Sequence, residues 1–254
     1  RYERLKLFLT YEKNSRRRNI DWLVQKSAKN FHNYIEKLVK SPELLSKIIP
    51  NYPPGCKRGL RSDEWYQTLM KPDVELVNNE IREITKSAVK TADGTKRPVD
   101  AIVYGTGFKP TDFLAPMAIQ GLNGRNLNNE WKNGAEAYFG MSVAGFPNLF
   151  IMYGPNTNLS GSILYMLESQ ARYITRCIHL LRKSDAQFMT VRDEKQKQFN
   201  AELQKRIAKS VLVHENCNSY FRTETGRITT QWPGLMLEYR WRTRRVRKRD
   251  YIFS

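Results

Sequence analysis

A chain of 254 residues, 40% hydrophobic and 11% aromatic, can bury one substantial core or divide between two modest lobes, which excludes wholesale disorder. No apolar run approaches the roughly 20 residues that cross a bilayer, so no membrane-spanning helix is expected. The net charge of +18 is large enough to point to an anionic partner, whether nucleic acid, an acidic membrane surface or a phosphate-bearing cofactor.

The chain opens on Arg1-Tyr-Glu-Arg4, without methionine or signal peptide, as expected of a fragment. From Arg4 to Ile49 apolar residues recur at helical spacing, among them Trp22, Ala28, Phe31, Ile35 and Val39. Ser41-Pro42 predicts an N-cap followed by proline in the first turn of a short helix that Pro50 ends. Asn51-Tyr-Pro-Pro-Gly55 predicts a rigid turn and a lobe boundary. Ser62 is placed to cap a helix carrying Trp65, Leu69 and Met70. Short strands are predicted at Val74–Val77, Ile81–Ile84 and Ala88–Thr91, with a hairpin turn at Ala92-Asp-Gly-Thr95. A buried strand is expected from Val99 to Tyr104.

The stretch from Thr111 to Tyr138 reads as loops. A second strand, Asn148 to Tyr153, is expected to stop at Gly154. The longest helix, about Ser162 to Arg182, places Leu164, Leu167, Ala171, Ile174 and Ile178 on one predicted core face, and another helix covers about Asp193 to Val211. Basic runs stand at Arg16-Arg-Arg18 and in the tail Arg240 to Arg249, where Trp241 invites a base-stacking reading.

The three cysteines, Cys56, Cys177 and Cys217, are dispersed and odd in number. They form no Cys-x-x-Cys zinc pair and suggest no disulfide framework, so a reducing, cytoplasmic setting is expected and no metal site. Asp100-Ala-Ile-Val-Tyr-Gly-Thr-Gly-Phe108 and Phe146-Pro-Asn-Leu-Phe-Ile-Met-Tyr-Gly-Pro-Asn156 are apolar runs that stop at glycine. Gly105, Gly107 and Gly154 there lack the Cβ that keeps a bulky ligand from the backbone, which suggests a planar cofactor at strand ends.

Together with Tyr52-Pro-Pro-Gly-Cys-Lys-Arg58, Gly145-Phe-Pro-Asn148, Gly154-Pro-Asn-Thr157 and Glu168-Ser-Gln170, these segments resemble class B flavoprotein monooxygenases, and within them the fungal-type Baeyer–Villiger monooxygenases. The resemblance implies an α/β fold: the carboxyl-terminal part of a flavoprotein with two dinucleotide-binding domains, for FAD and NADP, and a helical insertion. Residues 1–51 would be a helical subdomain, 52–98 the end of the NADP-binding domain, and 99–254 the closing part of the FAD-binding domain with a basic tail. Family members begin with a glycine-rich dinucleotide fold. Here no Gly-x-Gly-x-x-Gly follows a strand, and Pro110 stands where the third glycine would fall.

The implied activity inserts one oxygen of O2 into a ketone through a flavin peroxide, at the expense of NADPH. Oxygenation of nitrogen or sulfur is the alternative within the same chemistry. A non-catalytic binder of nucleic acid or membrane is the alternative outside it. By resemblance Arg58 is the catalytic cation beside the flavin, and Lys57 contacts the NADP 2′-phosphate. Gly105, Thr106 and Gly107 form a cofactor-facing linker, Gly154, Pro155 and Asn156 lie at the flavin, and Tyr220 occupies a place where relatives often carry tryptophan.

Overall fold

The computed structural model describes residues 20–254 apart from 61 and 160, with side chains from residue 25 onward. The basic run Arg16–Arg18 and the first part of the predicted amino-terminal helix lie outside the described residues. Helix α1 (Ile20–Leu38) buries Ile35, and α2 (Pro42–Ile48) starts as its sequence predicts, with Ser41 Oγ accepting the Leu44 amide at 3.3 Å. Ser62 Oγ likewise receives the Trp65 amide at 3.1 Å, just before α3 (Trp65–Leu69).

Strands β1 (Ile81–Ile84), β2 (Ala88–Thr91) and β3 (Lys96–Pro98) form an antiparallel sheet in that order. The β2–β3 turn is fixed by the Asp93 carboxylate, which accepts from Thr91 Oγ1 at 2.5 Å and the Thr95 amide at 3.1 Å. Gly94 supplies the left-handed residue with φ +84°. The strand expected at Val74–Val77 joins no sheet; instead Arg97 Nη2, on β3, donates to Glu75 at 2.9 Å.

The expected buried strand Val99–Tyr104 is not formed. Residues 101–109 are exposed and pair with no strand among the described residues, and Val103 and Phe108 are each 96% exposed. A strand is buried only by neighbours, and here the neighbours are absent.

The rest of the chain builds the core. After the short helix α4 (Leu127–Glu130), capped by Asn126, come α5 (Ile163–Lys183), β4 (Met189–Val191), α6 (Asp193–Ile207), α7 (Met236–Arg242) and β5 (Tyr251–Phe253). Strands β4 and β5 pair antiparallel, Thr190 opposite Ile252. Phe139, Phe199, Trp232 and Tyr239 interlock edge-on or stacked between the helices, Phe139 and Phe199 at 4.9 Å between ring centres. Such ring pairs add specificity to the large area they bury.

The buried face of α5 is not the one its apolar stripe predicts. Met166, Ser169, Gln170, Tyr173 and Cys177 point inward, whereas Leu164 is 73% exposed and Ile178 is exposed as well. One residue of offset is a rotation of about 100°, so a helix can carry an apolar stripe beside its core face rather than on it. The core face is held by polar groups that find partners inside.

Candidate functional site

The turn Asn51–Gly55 brings the chain to Cys56, whose amide donates to the Pro53 carbonyl at 3.1 Å. Cys56 is fully buried and bonded to Cys217, 161 positions further along the chain, with Cα atoms 5.4 Å apart. This corrects the expectation of free thiols. The odd count arises because Cys177 alone stays reduced, its thiol pushed up to about 12 by burial. The disulfide joins two candidate segments directly, the Lys57–Arg58 turn and the loop that carries Tyr220. Both cations are exposed, and the Lys57 ammonium sits 4.5 Å over the Tyr52 ring.

The segment after Ile151 is a tightly held turn rather than a strand end. Tyr153 and Asn156 both adopt left-handed backbone, at φ +57° and +56°. For a bulky tyrosine this is strained, a condition that clusters at functional sites. A Cβ at Gly154 would overlap the Gly140 carbonyl, so its close approach is to the chain's own backbone. Pro155 and Asn156 are buried. The Asn156 amide donates to the carbonyls of Ile228 at 3.1 Å and Gln231 at 2.9 Å, and its backbone amide donates to Thr229 at 2.7 Å. Thr157 Oγ1 closes the turn on the Gly154 carbonyl at 2.7 Å.

A buried relay sets the strained residue. The Tyr153 amide donates to Gln170 Oε1 at 3.0 Å, Gln170 Nε2 donates to the Tyr239 hydroxyl at 3.1 Å, and that hydroxyl donates to the Phe139 carbonyl at 2.7 Å. The Tyr153 phenol donates to Asn158 Oδ1 at 2.9 Å. Its pKa is raised by partial burial, lowered in part by the Arg58 guanidinium and raised further by Tyr220. The Arg58 guanidinium and Tyr220 thus lie near enough to Tyr153, the residue before the Gly154–Thr157 turn, to act on its phenol. Thr230 Oγ1 and Gln231 Nε2, in the strand-like segment that holds this turn, are buried without a hydrogen-bond partner among the described residues.

Gly105, Thr106 and Gly107 lie on the exposed segment 101–109. A Cβ at Gly105 or Gly107 would meet nothing within 4 Å, and Gly107 has φ +80°. Tyr153, Gln170 and Cys217 belong to the same constellation, although in the sequence none of them was assigned a role at the site. Tyr153 adjoins a marked glycine, but the partners of Gln170 and Cys217 are too remote in the chain for spacing to disclose.

No family model matches the chain. It is 36% identical over 237 residues to the FAD-binding monooxygenase ktnD of Aspergillus niger, covering 89% of this chain and 39% of that protein. It is 38% identical over 213 residues to a Baeyer–Villiger monooxygenase of Pseudomonas aeruginosa, covering 83% and 40%. Among solved structures, its fold matches the OTEMO complex with FAD and NADP at a TM-score of 0.82 and 25% identity, covering 91% of this chain and 44% of that one. The cyclohexanone monooxygenase of Rhodococcus sp. Phi1 bound to NADP+ matches in fold at the same TM-score with 23% identity. The chain spans about two fifths of the length of the curated relatives it matches. In sequence and in fold it is similar to Baeyer–Villiger and other FAD-binding monooxygenases over a part of their length, consistent with a carboxyl-terminal portion of that architecture.

Proposed function

We propose that this chain is the carboxyl-terminal part of an NADPH- and FAD-dependent monooxygenase that inserts one oxygen atom into a ketone. What supports the reading is that Arg58 and Tyr220 both act electrostatically on Tyr153, the residue before the Gly154–Thr157 turn, in a chain similar to oxygenases along most of its length. The residues fit a flavin on chemical grounds. Two phenols and a guanidinium suit a flat ring that becomes anionic on reduction, and the partnerless polar atoms of Thr230 and Gln231 are costly unless a polar group meets them. Bound there, FAD supplies the oxygen-activating chemistry and NADPH the hydride.

Each residue then has a defined task. Arg58 holds positive charge where negative charge accumulates. Lys57 offers a compact cation to the NADP 2′-phosphate. The Gly154–Asn156 turn and Tyr220 would contact the flavin when it is bound. Gly105, Thr106 and Gly107 lie open for a cofactor brought by the rest of the fold. In this reading residues 1–51 form a helical subdomain, 52–98 end the NADP-binding domain and 99–254 close the FAD-binding domain. The exposed apolar groups Val103, Tyr104, Phe108 and Leu164 are the surface that the remaining portion of such an enzyme covers.

The test is the complete gene product with NADPH, O2 and paired ketone and amine probes. Ester or lactone product supports the proposal, whereas N-oxide alone favours the nitrogen- and sulfur-oxygenating reading. Arg58→Ala is expected to keep bound flavin while product formation falls about a hundredfold or more. Unchanged turnover in that variant would overturn the role of Arg58. A small organic ketone, O2 and the portion of the fold not spanned here are the partners this reading requires. Among the described residues no helix is long and apolar enough to cross a membrane. The cytoplasmic setting loses its cysteine argument, since two of the three cysteines are paired.

A further inference from the structure

A cleft of about 960 Å3 opens between α6 and the carboxyl-terminal segment. It shares no lining residue with the Arg58 neighbourhood. Its walls carry Lys195, Arg244, Arg245, Arg247 and Arg249, with Arg242 deeper in.

The charge in this cleft is one-sided once the ion pairs are assigned. Arg242 is held by both oxygens of Glu202, at 3.0 and 2.9 Å, and lies 5.4 Å over the Phe199 ring. Glu238 is engaged by Arg206 at 2.6 and 2.8 Å. The buried Asp250 accepts the Tyr138 hydroxyl at 2.8 Å. Glu202 and Glu238 are thus ion-paired, and the Asp250 carboxylate, which makes no ion pair among the described residues, is buried and hydrogen-bonded. The other five cations make no ion pair among the described residues.

The arginine segment is also fixed, unlike a solvated tail. The Asp250 amide donates to the Arg247 carbonyl at 2.9 Å, the Arg192 amide to the Asp250 carbonyl at 3.0 Å, and Arg192 Nε to the Arg249 carbonyl at 3.2 Å. Strand β5 then locks the chain end to β4. Clustered guanidiniums on a backbone held in this way are preorganised for an anion, since little loop ordering must be overcome and Asp250 is the one lining carboxylate without an ion pair among the described residues. Their forked donors match the paired oxygens of phosphate.

We propose that this cleft binds a small polyphosphate, an anion with adjacent phosphate groups such as inorganic pyrophosphate or the phosphate chain of a nucleotide. Concavity favours a compact ligand over a polymer. The aromatic platform that single-stranded nucleic acid needs is not free here, because the Arg244 guanidinium already sits 4.9 Å over the Trp241 ring. The proposal does not rest on the monooxygenase reading.

Calorimetric titration of the full chain with inorganic pyrophosphate tests it. One saturable site is expected, with orthophosphate binding more weakly. The double variant Arg245→Ala/Arg247→Ala, at exposed positions, is expected to weaken pyrophosphate about tenfold or more, the loss of roughly one charged hydrogen bond. Lys57→Ala/Arg58→Ala is expected to bind normally. The proposal is overturned if no saturable binding occurs, or if binding is lost in the second variant and kept in the first. It is equally overturned if only an oligonucleotide or anionic phosphatidylserine vesicles bind, with affinity collapsing as salt rises.

Discussion

Two apolar regions of this molecule have opposite fates. The cluster around Phe139, Phe199, Trp232 and Tyr239 is enclosed by α5, α6 and α7, while Val103, Tyr104 and Phe108 stand in solvent. Composition does not separate them. The first region closes on elements within this chain, and the second meets none of them among the described residues. Burial is a property of an assembly of segments, and a strand-like sequence is only a request for neighbours.

Five experiments bear on this contrast, beginning with the Arg58→Ala turnover measurement. On stability, Phe199→Ala should cost about 3–5 kcal/mol by chemical denaturation, because a large ring leaves a closed core. Phe108→Ala in the same chain should stay within about 0.5 kcal/mol, and a loss comparable to that of Phe199→Ala would abolish the contrast. Cys56→Ser should cost about 2–4 kcal/mol, since the bridge closes a long loop; thiol labelling of the unfolded, unreduced wild type should find Cys177 alone.

A smaller effect is expected for Tyr239→Phe, about 1–3 kcal/mol, because the Phe139 carbonyl loses its donor. The least is expected from acid. Burial opposes ionisation of Glu238, but hydrogen bonding and attraction from Arg206, with help from Arg242, hold its pKa below 4.5. A depressed carboxylate stabilises the fold fully above its unfolded pKa, and the contribution is lost as pH falls through the folded value. Glu238→Gln should therefore flatten the acid limb of a stability–pH curve, and an unchanged limb would place the acid sensitivity elsewhere.

Local chemistry was legible in the sequence wherever the cause is local. The caps at Ser41 and Ser62 and the Asp93-Gly94 turn depend on residues a few positions apart, and they formed as predicted. The inward face of α5 was not legible, since Gln170 and Ser169 look like surface residues until Tyr239 and the Tyr165 carbonyl supply partners. The Cys56–Cys217 bond and the service of Gly154 to Gly140 likewise depend on residues remote in the chain or on backbone geometry. At the candidate site, the glycine positions drew the eye to the turn at Gly154, whereas the left-handed backbone of Tyr153 beside it emerged only from the fold.

Gln170 has a consequence for anyone who would redesign this protein. Its side-chain amide behaves as a borrowed peptide unit: it receives a main-chain donor on one side and passes a proton donor onward on the other, as a neighbouring strand would. Rotating α5 by a fraction of a turn would therefore withdraw that surrogate strand and tilt the peptide plane at Tyr153. Helix-surface mutations far from the turn would be transmitted as angular error in a single backbone amide.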